Sequence, residues 1–232
     1  MKIGIIVGHS ILKNGSITSA NSSFCNEYLY CKELGEYIRK IGEKTIHKID
    51  IIQCPERVFN KSIEEKKYKL DKINGKKYDM ILELHLNSSN NTNATGTEVL
   101  YYSDRGKIIA DRIYKKTNNI LNRKRGIKKR TDLYILRDTD CPATLLELFF
   151  ISNIEDFKTM ENYKKENIAR LILEGLTGEN IKDNDIEEIY RVRKSWNDVG
   201  SQIGAYKNLD NAFKNCIQGY KVYNSKGIEI KK

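Results

Sequence analysis

The sequence predicts an α/β protein: a mostly parallel, twisted sheet with helices on both faces, followed by a small C-terminal α+β module. Three observations lead there. Short apolar runs rich in β-branched residues alternate with stretches of helical spacing. The strongest runs are continuous rather than alternating, as in strands covered on both faces. The chain has 232 residues, which at roughly 150 per domain is one medium domain and a small one.

Lys2–Val7 (KIGIIV) reads as a buried strand. A Gly/Ser/Asn-rich loop leads to a helix over Glu27–Ile41, where Tyr30, Leu34, Tyr37, Ile38 and Ile41 recur at helical spacing and Gly42 offers a stop. Thr45–Gln53 reads as a second strand, closed by Cys54-Pro55. Ser62–Ile73 is a charged helix whose Ser62 and Glu65 have capping-box spacing. Met80–Leu86 (MILELHL) and Thr97–Tyr102 are strands, and a helix spans Lys107–Leu121. Leu133–Leu136 reads as a short strand and Thr144–Ile151 (TLLELFFI) as the most apolar one, with a last helix over Tyr163–Leu176. After a Gly/Asn/Asp-rich break at Thr177–Asp185, the order becomes strand (Glu188–Trp196), helix (Leu209–Ile217) and strand (Tyr220–Tyr223), with a turn at Asn224–Gly227. The expected domains are therefore residues 1–178 and 186–232.

Apolar residues make up 39% of the chain, enough to bury a core and too many for a disordered polymer. No apolar stretch approaches the ~18 residues that span a bilayer. The start, MKIGIIVGHS, lacks the longer apolar run and small-residue cleavage site of a secretory signal, so synthesis in a cytoplasm without an export tag is expected. The five cysteines have no CxxC spacing, which argues for reduced thiols rather than a zinc-thiolate site or a disulfide framework. Net charge is 41 − 31 = +10. Its densest run, Arg123–Arg130, reads as a solvated loop, with an anionic polymer as the alternative contact.

Histidine is scarce, at three residues, so its placement is informative. His9 follows the first strand and His85 lies near the end of the third, where open α/β sheets place ligand-binding groups. His47, inside the second predicted strand, reads as structural. Glu147 is embedded in TLLELFFI, and a carboxylate in a buried strand is costly unless paired, metal-bound or protonated. Glu83 raises the same question and shares a strand face with His85. Glu27 opens the first helix, where the helix dipole favours a carboxylate.

Two histidines and a glutamate suit a catalytic zinc site, which keeps its fourth position for water. A further carboxylate is then needed to take that water's proton and pass it to the leaving group. His9, Glu27, His85 and Glu147 are able to fill these four roles. There is no HExxH, however, and spacing alone favours the plainer account of satisfied polar groups at strand ends plus a buried ion pair.

The strings IIVGHS, NEYLYCKELG, IIQCPE, DMILELHLNSS, GTEVLYYS, RGIKKRTDLYILRDTDCPATLLELFFISN and IARLILEGL occur in order over residues 1–176. Together they resemble the zinc-dependent N-acetylmuramoyl-L-alanine amidases of the amidase-3 type, with the likeness strongest to endolysins of phages that infect clostridia. The resemblance implies zinc held by His9, Glu27 and His85, and Glu147 as the catalytic acid/base. It implies peptidoglycan as substrate and action on the cell wall after release from the cell. Glu83 stands where many relatives have Ser, Phe149 where they usually have Gly, and Cys54-Pro55 replaces a common Thr-Arg. Phe149 is expected to reshape the wall beside Glu147. Glu33 is the alternative ligand if the first helix starts later. Ser88 and Ser89 have no acidic partner that suggests a serine nucleophile. The rival functions are a non-catalytic basic protein that binds wall polymer or nucleic acid, and a zinc peptidase cutting within the stem peptide. Of these partners nucleic acid is not expected.

The tail from Tyr190 resembles a short module appended to clostridial and phage wall hydrolases. This implies wall attachment, with Trp196, Tyr206, Tyr220 and Tyr223 available to stack on sugars and Arg191, Arg193 and Lys194 to face the wall. The same aromatics also suit the core of a very small fold, and self-association is the other role open to the module.

Overall fold

The computed structural model describes residues 1–181, 189–224 and 227–231. The strand predicted at KIGIIV is β1 (Lys2–Val7), buried at every residue after Lys2. It pairs in parallel with β2 (Lys48–Ile52) on one side and β3 (Met80–Asn87) on the other. β6 (Ala143–Phe150) continues the sheet in parallel to β3. β4 (Thr97–Tyr101) runs antiparallel to β6 and carries β5 (Lys124–Lys129) in parallel beside it. The order is β2-β1-β3-β6-β4-β5.

Side chains alternate between two cores. On one face, Ile5, Leu82, Leu84 and Leu146 pack with α1 (Glu27–Gly42), α3 (Asp104–Thr117), α5 (Ile154–Tyr163) and α6 (Lys165–Thr177). On the other, Ile6, Ile81, Leu100 and Leu145 pack with α2 (Ile63–Ile73) and α4 (Tyr134–Arg137). The mostly parallel sheet covered on both faces is thus the predicted one.

Several boundaries differ from the expectation. Residues 133–136 form no strand: Leu133 leads into α4, whose Ile135 and Leu136 are buried. The strand lies upstream, in the basic run read as a solvated loop. As β5 at the sheet edge, that run keeps its charges hydrated or paired, and Arg125 and Lys128 both reach Glu98 on β4. β2 begins at Lys48, so His47 precedes it. α3 starts at Asp104, because Ser103 caps it by accepting from the Gly106 amide at 3.1 Å. The helix expected over Tyr163–Leu176 is α6, and an unexpected helix, α5, precedes it; the two are divided at Lys164, whose φ of 71° cannot continue a helix. Asn153 caps α5 by accepting from the Glu155 and Asp156 amides.

The register between β3 and β6 shifts after His85 and Glu147. The shift places Phe149 in the core beneath α1, against Tyr30 and Phe157 at ring separations of 5.1 and 6.5 Å. Phe149 therefore does not form the wall beside Glu147.

The chain divides into two compact units, residues 1–181 and 182–232. The expected boundary at 186, the last part of the break, and Glu188 lie outside the described residues, as do two residues of the turn at 224–227. The second unit holds β7 (Tyr190–Arg193), β8 (Gly204–Tyr206), α7 (Leu209–Lys214), β9 (Lys221–Tyr223) and β10 (Glu229–Ile230), with an antiparallel sheet in the order β10-β9-β7-β8. β8 and β10 were not anticipated, being only three and two residues long. Val192, Ala212 and Val222 form its core. Arg193 is buried and does not face outward. Its guanidinium donates to Gln202 Oε1 at 2.8 and 3.0 Å and to the Trp196 carbonyl at 2.8 Å, and lies 4.9 Å from the Trp196 ring centre. Tyr223 is buried too, 6.0 Å from Trp196. Among the described residues no helix is long and apolar enough to cross a membrane.

Phe149 is fully buried, so Phe149→Ala is expected to cost about 3–5 kcal/mol of stability. Denaturant unfolding of the purified variant measures this.

Candidate metal centre

The carboxyl ends of β1 and β3 meet the start of α1, and there His9, Glu27 and His85 converge. The turn after β1 makes this possible. Gly8 donates its amide to the Leu84 carbonyl at 3.1 Å, and a Cβ at Gly8 would stand 2.6 Å from the His85 ring. Only glycine lets the turn pass so close. His9 then adopts φ 63°, a left-handed conformation uncommon outside glycine, and swings its ring across the strand end. The two imidazoles meet edge to face at 4.8 Å.

Glu27 is the first residue of α1, behind the N-cap Asn26, whose side chain accepts from the Leu29 amide at 3.0 Å. The Ala20 and Leu86 amides donate to its two oxygens at 3.0 and 3.1 Å. Its Oε1 lies 2.9 Å from His85 Nδ1 and 3.2 Å from His9 Nε2. Burial alone would raise this carboxyl, but hydrogen bonds from His85 and His9 hold it well below the usual carboxylate range. Burial would lower His85, but the Glu83 carboxylate and Glu27 hold it up at about 10.

These three residues fit a metal ion. Each offers one ligand atom, and the three atoms lie within 4.8 Å of one another. Ligand atoms sharing a tetrahedral ion at 2.0–2.1 Å stand roughly 3.3 Å apart. The separations of 2.9 and 3.2 Å from Glu27 Oε1 are close to that edge. An anionic carboxylate with two imidazoles is also a donor set that zinc accepts. Glu33 does not join them; it lies on the outer side of α1 and pairs with Lys165 at 3.4 Å. His47 is remote, with its Nε2 3.2 Å from Glu179.

Polar groups unforeseen from the sequence surround the histidines. Thr18 Oγ1 stands 3.5 Å from His9 Nδ1 and donates to Glu65 Oε1 at 3.0 Å. Ser10 Oγ donates to the same oxygen at 2.9 Å. The expected capping box is therefore absent: Ser62 makes no side-chain cap bond, and Glu65 turns inward instead. One helical turn on, Lys69 donates to Glu83 Oε1 at 2.8 Å, while Glu83 Oε2 lies 3.5 Å from His85 Nε2. Burial would raise the Glu83 carboxyl, but Lys69 and then His85 keep it far below the usual range. The one signal of this layer in the sequence is the i, i+4, i+8 spacing of Glu65, Lys69 and Ile73, which puts all three on one helix face.

Glu147 stands opposite His85 in the β3–β6 register and opposite Glu98 in the β4–β6 register. Its Oε2 is buried and accepts no hydrogen bond from the protein. Burial pushes this carboxyl up to about 7, His85 opposing and Glu27, Glu98 and Glu83 adding to the rise. A carboxyl near neutrality is suited to both taking and giving a proton. Glu147, the two histidines and Glu27 all line one groove of about 650 Å³. Leu100, Leu133, Tyr134 and Leu145 supply its apolar wall, and Arg130, Lys66 and Lys69 its cations.

A sequence profile described as N-acetylmuramoyl-L-alanine amidase matches residues 3–178. Among solved structures, the chain resembles the catalytic domain of the CD27L endolysin targeting Clostridia difficile, with TM-score 0.75 and 44% identity over 78% of this chain and 99% of that one. It also shares its fold with the catalytic domain of an N-acetylmuramoyl-L-alanine amidase of Bacillus (Paenibacillus) polymyxa, at TM-score 0.63 and 22% identity over 76% of this chain and 96% of the other. Among curated relatives, an uncharacterised protein of Clostridium perfringens is 27% identical, over 79% of this chain and 54% of its own length. A probable cell wall amidase of Staphylococcus aureus is 33% identical, over 42% of this chain and 32% of its own. The chain thus spans about half or less of these two relatives. The ordered motifs, the sheet and the profile match agree, and over its first three-quarters the chain belongs to the N-acetylmuramoyl-L-alanine amidase family.

Proposed function

We propose that this protein is a zinc-dependent peptidoglycan amidase of the endolysin kind. Its bond would be the amide between the lactyl group of N-acetylmuramic acid and L-alanine of the stem peptide. The observation that carries the reading is the convergence of His9 Nε2, His85 Nδ1 and Glu27 Oε1 in a groove that also holds Glu147. In this reading His9, Glu27 and His85 hold zinc, which when bound brings the pKa of water toward ~7 and polarises the amide carbonyl. Glu147 accepts a proton from the attacking water and returns it to the leaving amine.

Residues 1–178 would form the catalytic domain and residues 186–232 a module that holds the enzyme near an insoluble substrate, raising its effective concentration. Of the groups expected to face the wall, Arg191, Lys194, Trp196, Tyr206 and Tyr220 keep some exposure, whereas Arg193 and Tyr223 are consumed within the module.

Five outcomes test the proposal. Wild-type protein is expected to hold one zinc per chain and to clear clostridial walls until a chelator is added. The digested walls should then carry new L-alanine amines and peptide-free glycan by mass spectrometry; cleavage within the stem peptide would identify a peptidase instead. His85→Ala should lose both metal and lysis, and zinc content measured by atomic emission decides this. Glu147→Gln should keep zinc and lose roughly 10²–10⁴-fold in rate. Because the metal-free His85 is held up at about 10, zinc uptake near neutral pH should displace about one proton, so binding tightens as pH rises. Titration calorimetry in buffers of different ionisation enthalpy reads that proton. Finally, residues 1–181 alone should cleave a soluble muropeptide at the full-length rate but clear intact walls more slowly.

A further inference from the structure

We propose that Lys69 and Glu83 act as a positioning pair that presents Nδ1 of His85 to the metal. This rests on the metal reading above. Both side chains are almost wholly buried, at 2% and 4% exposure, and lie 2.8 Å apart. Such a pair is a poor device for stability alone, since well-packed apolar residues generally serve as well or better. Its placement gives it another use.

The two oxygens of Glu83 are divided. Oε1 accepts from Lys69, which leaves Oε2 facing His85 Nε2 at 3.5 Å. A carboxylate can only accept, so Glu27 Oε1, 2.9 Å from Nδ1, and Glu83 Oε2 both take protons from the ring; once a metal takes Nδ1, Glu83 is the acceptor that keeps the remaining proton on Nε2. A carboxylate behind a ligating histidine fixes ring orientation and strengthens the ligand. Lys69 holds the carboxylate in that pose: its ammonium engages Oε1 and so fixes which oxygen faces the ring. The residues that converge as ligands are His9, Glu27 and His85, with Glu83 behind them. Lys69 comes from α2 and Glu83 from β3, so the docking of that helix on the sheet sets the aim of the ring.

Glu83→Gln is the discriminating variant. Lys69, a donor only, claims the amide oxygen, so the amide nitrogen must face Nε2 and donate to it. That favours the opposite tautomer, with the proton on Nδ1. The expected result is zinc affinity about 10–100-fold weaker, measured by competition with a chromogenic chelator on protein that remains folded. Thermal unfolding of the metal-free variant should fall, because Lys69 loses its counter-ion, so the zinc measurement is made well below that transition. Lys69→Met should weaken zinc similarly, and combining the two should be no worse than the more severe single change, as for groups acting as a unit. Lys69→Arg, which keeps a buried donor, should stay within about threefold of wild type. Long-range proton–nitrogen correlation on the zinc-loaded wild type should place the His85 proton on Nε2. Folded variants that bind zinc within about twofold of wild type, or a proton on Nδ1 in the loaded wild type, overturn the pair's role. If Lys69→Met does not fold, Glu83→Gln decides alone. Wild-type protein that takes up no zinc overturns the metal reading itself, whatever the variants do.

Discussion

One buried carboxylate organises the candidate metal centre. Glu27 sits at the first turn of a helix, out of water, with an oxygen shared between two imidazoles. A charge there is tolerable only because two backbone amides and both rings point at it. That requirement propagates outward. It needs a glycine before His9 so that the rings can meet, a left-handed turn to aim His9, and an N-cap that starts α1 at this residue and no later. The sheet order follows the same logic, because β1 and β3 must be neighbours for their ends to deliver one histidine each.

Around this centre the charges are layered. Glu65 and Glu83 stand behind the two histidines, and Lys69 offsets one of them. Glu147 is the exception. It lies among Glu27, Glu83 and Glu98 with no cation of its own, and Glu98 is fully engaged by Arg125 and Lys128 on the outer strand. The difference in company separates the behaviour of carboxylates that are distant in sequence and neighbours in the fold. Burial raises each of them; Glu27, Glu83 and Glu98 are held down by hydrogen bonds from imidazole, lysine or arginine, whereas Glu147 faces His85 with an oxygen that accepts no hydrogen bond and is left near neutrality.

Much of this was legible in the sequence, for physical reasons. Continuous apolar runs reported the central strands because both faces of the sheet are covered. Rare histidines at strand ends stood out against a Lys- and Asn-rich background. What escaped was whatever depends on partners distant in sequence. KRGIKK carries no strand pattern in isolation; it becomes an edge strand because Glu98 and water receive its charges. Glu65 has capping-box spacing, yet the hydroxyls of Ser10 and Thr18 offer it a better-buried use. Lys69 looks like one more lysine on a charged helix, and only the unpaired Glu83 of β3 hints that it turns inward. The departure at Phe149 was visible, but its direction was set by a register shift that no local pattern encodes.

The chain's only tryptophan sits in the second unit, wedged between the Arg193 guanidinium and Gly227, where a Cβ would come within 2.7 Å of the indole. Indole emission is sensitive to its polarity and to quenching neighbours, and the first 181 residues contain no indole. Intrinsic fluorescence excited at the red edge therefore reports on the small unit alone, while circular dichroism is dominated by the helices of the large one. The protein carries its own pair of independent optical labels, and their melting curves separate or coincide according to whether the two units unfold apart or together.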